Sequence, residues 1–237
     1  MKNKGMAIFI LALMITLFLA PPCFANAAEP PSIVILVPNA PEDLTLSLDA
    51  DSSGKAKITG KAFERYYAFY YRDLKYSEDY SIKVTTAESS FRIHLEKPIK
   101  TYNNIFTLDL SHQTLEPGKS LTRSLSLVSL RVLLTLLIEA GVFWLFGYRE
   151  KRSWYAFLVI NLITQGALNI WLNELSPLAS YLILNLIIGE VQVFIAELVV
   201  LLGFLQEHGR LRTFSYVIAA NLLSLIAGGY IITYLPI

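Results

Sequence analysis

Cysteine is all but missing. The one thiol, Cys23, lies in the leader, residues 1–27, so the chain left after removal of that leader cannot form an internal disulfide. Histidine is scarce too: His94, His112 and His208 lie far apart, and no HExxH pair or other zinc-ligand spacing occurs. There is no GxSxG serine elbow and no Walker-type phosphate loop. A strong charge of either sign is also lacking: 20 basic and 19 acidic side chains leave a formal net charge of +1, which removes the electrostatic case for nucleic acid. These absences weigh against an enzyme of a common type.

Apolar residues are abundant. Of 237 residues, 54% are hydrophobic, and the mean hydropathy is +0.48. A soluble domain of this length is rarely so apolar, so composition points to the membrane class. Charge is unevenly spread. Residues 28–122 carry 11 basic and 13 acidic side chains, and residues 123–237 carry 7 and 6. Half of those last acids, Glu139, Glu190 and Glu197, interrupt long apolar runs.

Three segments follow. Residues 1–27 read as a secretory signal peptide: Lys2 and Lys4 supply charge, Met6 to Ala20 is a core of about 15 residues, and Ala25-Asn26-Ala27 supplies the small residues of a cleavage site. Residues 28–122 predict a small all-β, sandwich-like domain. Ser32–Val37, Leu44–Asp49, Tyr80–Thr86, Ser90–Glu96 and Asn104–Leu110 are short runs rich in β-branched and aromatic residues, separated by turn formers. Lys61–Leu74 fits helical and alternating spacing alike, and its aromatic density favours a strand. Residues 123–237 predict a four-helix transmembrane bundle, with spans at about 127–147, 154–173, 179–205 and 214–235 against the roughly 20 residues a bilayer requires.

The leader places the β domain on the extracytoplasmic side. The loops Arg149–Arg152 and Gln206–Arg212 are then cytoplasmic and basic, and the C-terminus is extracytoplasmic, as the positive-inside rule independently expects. A disulfide-free outer domain fits a bacterial cell envelope, and hence a multi-pass protein of the plasma membrane with the lipid bilayer as its constant partner.

Counting down each span at about 1.5 Å per residue places Glu139, Asn161, Glu190 and Asn221 near one depth, with Glu197 about 10 Å deeper. Gln165 and Asn169 continue a polar stripe from Asn161. A lipid-facing glutamate at mid-depth costs a few kcal/mol, so the glutamates are expected inside the bundle. Glu139, Asn161, Gln165, Glu190, Glu197 and Asn221 form the candidate intramembrane polar or ion site. Amides suit either protonation state of a carboxyl, and interhelical polar glue is the competing reading. No cofactor is identified, and a set of carboxylates and amides suits a hard divalent cation such as Mg²⁺, Ca²⁺ or Mn²⁺. Arg131, close to the outer edge, is expected to snorkel outward. Ala220, Ser224 and Gly228 read as a close-packing seam. In the β domain, alternate residues Tyr67, Phe69 and Tyr71 are the candidate outer binding surface; the competing reading makes one face of that strand core.

The stretches Pro30-Pro31-Ser32-Ile33-Val34-Ile35, Asn104 through Leu110, Asn161-Leu162-Ile163-Thr164-Gln165 and Gly189-Glu190-Val191 through Glu197 carry a likeness. In their order the chain resembles an uncharacterised family of bacterial membrane proteins. That resemblance implies architecture and no activity. Two functions stay open: an envelope binding or accessory subunit whose outer domain recognises a ligand or a membrane protein partner, and a proton or cation pathway, or cation-dependent enzyme, built on the buried glutamates and completed by homo-oligomerisation.

Overall fold

A computed structural model describes residues 32–48, 56–70, 80–95, 103–178 and 181–236; the expected signal peptide lies outside them. The chain divides into a β-rich unit that runs to Ser124 and a helical unit from Leu125 to Thr233.

The β-rich unit holds two sheets. In the larger, β1 (Ser32–Pro38) is central, in the order β3 (Lys57–Gly60), β4 (Glu64–Tyr70), β1, β7 (Asn103–Asp109), β8 (Thr114–Pro117). β1 runs antiparallel to β4 and parallel to β7. The smaller sheet has the order β2 (Thr45–Leu48), β5 (Ser81–Thr85), β6 (Ser90–His94), all antiparallel. One core joins them: Ile33, Ile35, Val37, Tyr67 and Phe69 meet Leu46, Leu48, Ile82 and Val84. The Tyr67 hydroxyl donates to the Leu44 carbonyl at 3.1 Å, which satisfies its buried polar end.

The reading of Tyr67 and Phe69 as an outer binding surface is overturned, because both are fully buried in this core. Tyr71, the third member, lies outside the described residues. The cause is the position of β4 beside the central strand. Val34, Leu36, Tyr66 and Ala68, on the opposite face, are buried as well. A strand covered on both faces becomes a continuous apolar and aromatic run, not an alternating one. Glu64 shares that second face and is 5% exposed; Arg123 holds its carboxylate in a fork, with Nε to Oε1 at 2.5 Å and Nη2 to Oε2 at 2.8 Å. Lys61–Leu74 thus contributes a strand over Glu64–Tyr70. The strands β3 and β8 escape a periodicity search because they are polar edge strands with little burial. The turn from β7 to β8 closes on Asp109. The Ser111 hydroxyl, the His112 ring and the backbone N–H groups of both hold its carboxyl far below the ordinary range.

The helices are α1 (Leu121–Leu145), α2 (Lys151–Glu174), α3 (Leu182–Phe204) and α4 (Arg210–Tyr234). All four are long and apolar enough to cross a membrane. Their exposed positions carry Leu133, Leu137, Val159, Ile163, Ile187 and Leu222, while the buried positions include Glu139, Gln165, Glu197 and Ser224. This is the reverse of a water-soluble helix bundle.

Two glycines have defined jobs. Gly147 ends α1 with φ +87°, the left-handed cap conformation, and a Cβ there would meet the Arg212 guanidinium at 2.6 Å. Gly189 lets α3 approach α2, since a Cβ there would clash with the buried Leu168 side chain. The close approach therefore sits at Gly189. In the expected seam, Ala220 and Ser224 are buried, but Gly228 is partly exposed with open space beside it.

Candidate functional site

The polar side chains of the helical unit gather around Glu197, which is 2% exposed in the middle of α3. Its Oε1 accepts from Thr164 Oγ1 of α2 at 2.8 Å, and its Oε2 accepts from Asn221 Nδ2 of α4 at 2.8 Å. One carboxylate thus ties three helices. Both donors also have an acceptor in their own helix: Thr164 lies 3.0 Å from the Ile160 carbonyl, and Asn221 lies 3.1 Å from that of Val217.

Glu139 and Glu190 are less well served. Glu139, fully buried on α1, neighbours Ser224 and senses the carboxyls of Glu197 and Glu190. Glu190, seven residues before Glu197 on α3, neighbours Gln165 and senses Glu197. Neither pair closes to hydrogen-bond geometry. Both oxygens of Glu139, Oε2 of Glu190, and both amide atoms of the fully buried Gln165 have no hydrogen-bond partner among the described residues. Asn161 donates to the Phe157 carbonyl at 2.9 Å, but its Oδ1, like that of Asn221, is unmatched. Native interiors rarely leave so many polar atoms unserved in one place.

The expected single layer is corrected in one respect. Asn221, counted level with Glu139 and Glu190, bonds Glu197 instead. Asn221 lies about 14 residues in from the outer end of its span, between Glu190 at about 11 and Glu197 seven residues deeper, so its amide reaches the deeper carboxylate. Arg131 points back along α1 towards its N-terminal end, the direction expected, with Nε donating to the Leu127 carbonyl at 3.2 Å, but it is buried, at 3% exposed.

The three glutamates do not converge as ligands on one point. Among the described residues, no group of three His, Cys, Asp or Glu side chains could hold a metal ion. The unit therefore offers carboxyls that sense one another without a multi-carboxylate metal cage.

A second polar feature lies at the end where α1 joins α2 and α3 joins α4. The Tyr148 hydroxyl and Thr213 Oγ1 are 2.9 Å apart, and both residues are almost fully buried. Tyr148 stacks on Phe143, with ring centroids 4.2 Å apart, and meets Tyr216 at 5.7 Å and His208 at 4.9 Å. The connections are latched there. Glu207 accepts the backbone N–H groups of Arg149 at 2.6 Å and Glu150 at 3.1 Å, just ahead of α2. Partial burial opposes ionisation of Glu207, but those N–H groups, the Ser153 hydroxyl and His208 outweigh it and hold the carboxyl below its usual value. Sequence reading missed Tyr148, Thr213 and Tyr216, although Thr213, Tyr216, Asn221 and Ser224 recur every three to five residues, which marks one face of α4.

Comparison with protein families, with curated proteins and with solved structures gives no match for this chain.

Proposed function

We propose that this chain is a multi-pass protein of the bacterial plasma membrane whose helical unit reversibly binds protons through Glu139, Glu190 and Glu197. One observation carries the reading: three carboxyls are buried within the helical unit, and both oxygens of Glu139 and both amide atoms of Gln165 are unmatched there. An ionised carboxyl without compensation is costly at membrane depth, so each must find a proton, a cation or strong donors. Glu197 has its donors; Glu139 has none. A hard divalent cation is held by several converging oxygens, some of which can be its own waters, whereas a proton needs one carboxyl. The separation of the glutamates therefore favours the proton. Gln165 can donate to a carboxylate and accept from an acid, so it serves both states.

The apolar outer faces of the four helices support the membrane setting. The basic loops at 149–152 and 206–212 support a cytoplasmic position for that end and an extracytoplasmic β unit. A second reading, recognition of a ligand or partner by the β unit, is supported by a groove of about 300 Å³ between β6 and the β7–β8 hairpin. Ile93, Leu95, Phe106 and Leu115 form its apolar lining, and His94 and Gln113 add polar groups. The two readings combine as a proton-linked accessory subunit.

The test is a membrane-soluble carbodiimide, which adds to protonated carboxyls in apolar surroundings, followed by peptide mass spectrometry. Adducts are expected on one or more of Glu139, Glu190 and Glu197, with yield falling as pH rises. No adduct on any of them at any pH, with the detergent-unfolded chain labelling freely, overturns the proposal.

A further inference from the structure

Resting on the membrane setting proposed above and not on proton binding, we infer that a phospholipid with an anionic headgroup binds between the end of α1 and the start of α4. Its phosphate sits on Arg212, and an acyl chain lies along Leu145, Phe146 and Leu211. These four residues and Ser215 line one groove of about 510 Å³, within the roughly 300–1,000 Å³ of small-ligand sites. The two helices are packed together beside it. The Phe146 and Tyr216 rings meet edge to face with centroids 5.8 Å apart, and Phe143 meets Tyr216 at 5.0 Å. The groove is chemically divided. Leu145 and Leu211 are 73% and 79% exposed, and Phe146 is half-buried. Apolar surface left so open is unfavourable in water and neutral against lipid chains. Arg212 and Ser215, exposed at the same groove, supply a guanidinium and a hydroxyl. The guanidinium lies against Gly147, where an added Cβ would meet it at 2.6 Å, so the charge stands at the end of α1. A guanidinium holds two phosphate oxygens in a fork, and a serine hydroxyl can donate to a third.

Position favours a lipid as the occupant. Trp144, exposed one residue before Leu145, carries the Arg149 guanidinium 4.5 Å from its ring centroid. A tryptophan beside a cation at the end of a membrane-crossing helix marks the headgroup level. Leu222, three helical turns after Leu211, continues the same exposed face away from that level, the direction an acyl chain takes. The loops at this end carry Arg149, Lys151, Arg152, Arg210 and Arg212 against Glu150 and Glu207. That excess attracts an anionic headgroup over a zwitterionic one, as basic pockets between membrane helices do. Glu207 is already engaged by the backbone N–H groups of Arg149 and Glu150, which leaves the balance more positive still. A soluble anion would leave the apolar walls of the groove in water.

The experiment uses the full chain in phosphatidylcholine vesicles. A trace of phosphatidylglycerol or of phosphatidylcholine, each with a photoactivatable acyl chain, is added, and adducts are mapped by peptide mass spectrometry. The phosphatidylglycerol probe is expected to mark Leu145, Phe146 and Leu211 about 10-fold more than the phosphatidylcholine probe, the scale of one charge-assisted hydrogen bond. Both probes should mark exposed faces elsewhere, such as that of Ile163, alike. Arg212→Gln should erase the excess at the groove. Arg212→Lys, the milder variant should Arg212→Gln not fold, loses the fork and should lower the excess roughly 3-fold. Arg152→Gln, at the same end but outside the groove lining, should leave it unchanged, and excess soluble glycerol phosphate should not displace the probe. Equal marking by the two probes, equal losses in Arg152→Gln and Arg212→Gln, or displacement by glycerol phosphate overturns the lipid site and leaves the membrane setting intact. No adduct on any of the four helices overturns the membrane setting itself.

Discussion

Glu197→Gln is expected to keep the fold and lose proton exchange at the centre of the cluster, whereas Glu197→Ala is expected to lose both. In the glutamine variant Oε1 still accepts from Asn221, and Nε2 donates to Thr164, whose hydroxyl turns to the Ile160 carbonyl already 3.0 Å away. Thermal unfolding in detergent should then stay within about 1 kcal/mol of the parent. Alanine removes two interhelical hydrogen bonds, worth about 0.6–2 kcal/mol each in membrane bundles, and opens a void. The donors fall back on the Ile160 and Val217 carbonyls, which limits the loss to about 2–4 kcal/mol. A glutamine variant that melts as low as alanine would mean that the negative charge itself holds the helices. The glutamate would then be glue.

Glu64→Ala should be the most damaging single change in the β-rich unit. It strips the carboxylate from the Arg123 guanidinium at a place where the two side chains are only 4% and 8% exposed. Breaking a buried ion pair from one side costs about 3–5 kcal/mol, because the remaining charge stays in a poorly hydrated setting. Glu64→Gln keeps one acceptor and should lose less. Hydrogen exchange along β1 and β4 in the full chain reads the effect. Unchanged protection in Glu64→Ala would show that the pair contributes nothing to the sheet.

How far the sequence carried can be judged from particular residues. The four long apolar helices were legible because each is an apolar run of more than 20 residues. The strands β1, β2, β5, β6 and β7 were legible from β-branched runs bounded by turn formers. β4 was ambiguous because both its faces are buried, which erases the alternation that distinguishes strand from helix. The same burial turned Tyr67 and Phe69 from an imagined surface into core. In the bundle, the glutamates and amides announced themselves by being polar at membrane depth. Their pairings did not: Asn221 bonds Glu197 and not the level of Glu139, a choice set by helix packing and side-chain reach, which a count of residues along each span does not carry. Tyr148, Thr213 and Tyr216 stayed hidden because tyrosine and threonine near the end of a span look like ordinary interfacial residues.

The most direct measurement is the infrared spectrum of the protein in lipid, recorded in light and heavy water, for the parent and for Glu139→Gln, Glu190→Gln and Glu197→Gln. A protonated carboxyl shows a C=O stretch that carboxylates lack, and deuterium shifts it once the proton exchanges. Such a band is expected in the parent, shifted in heavy water and diminished in at least one glutamine variant. A spectrum without that band across the accessible pH range, unchanged by all three substitutions, would contradict it.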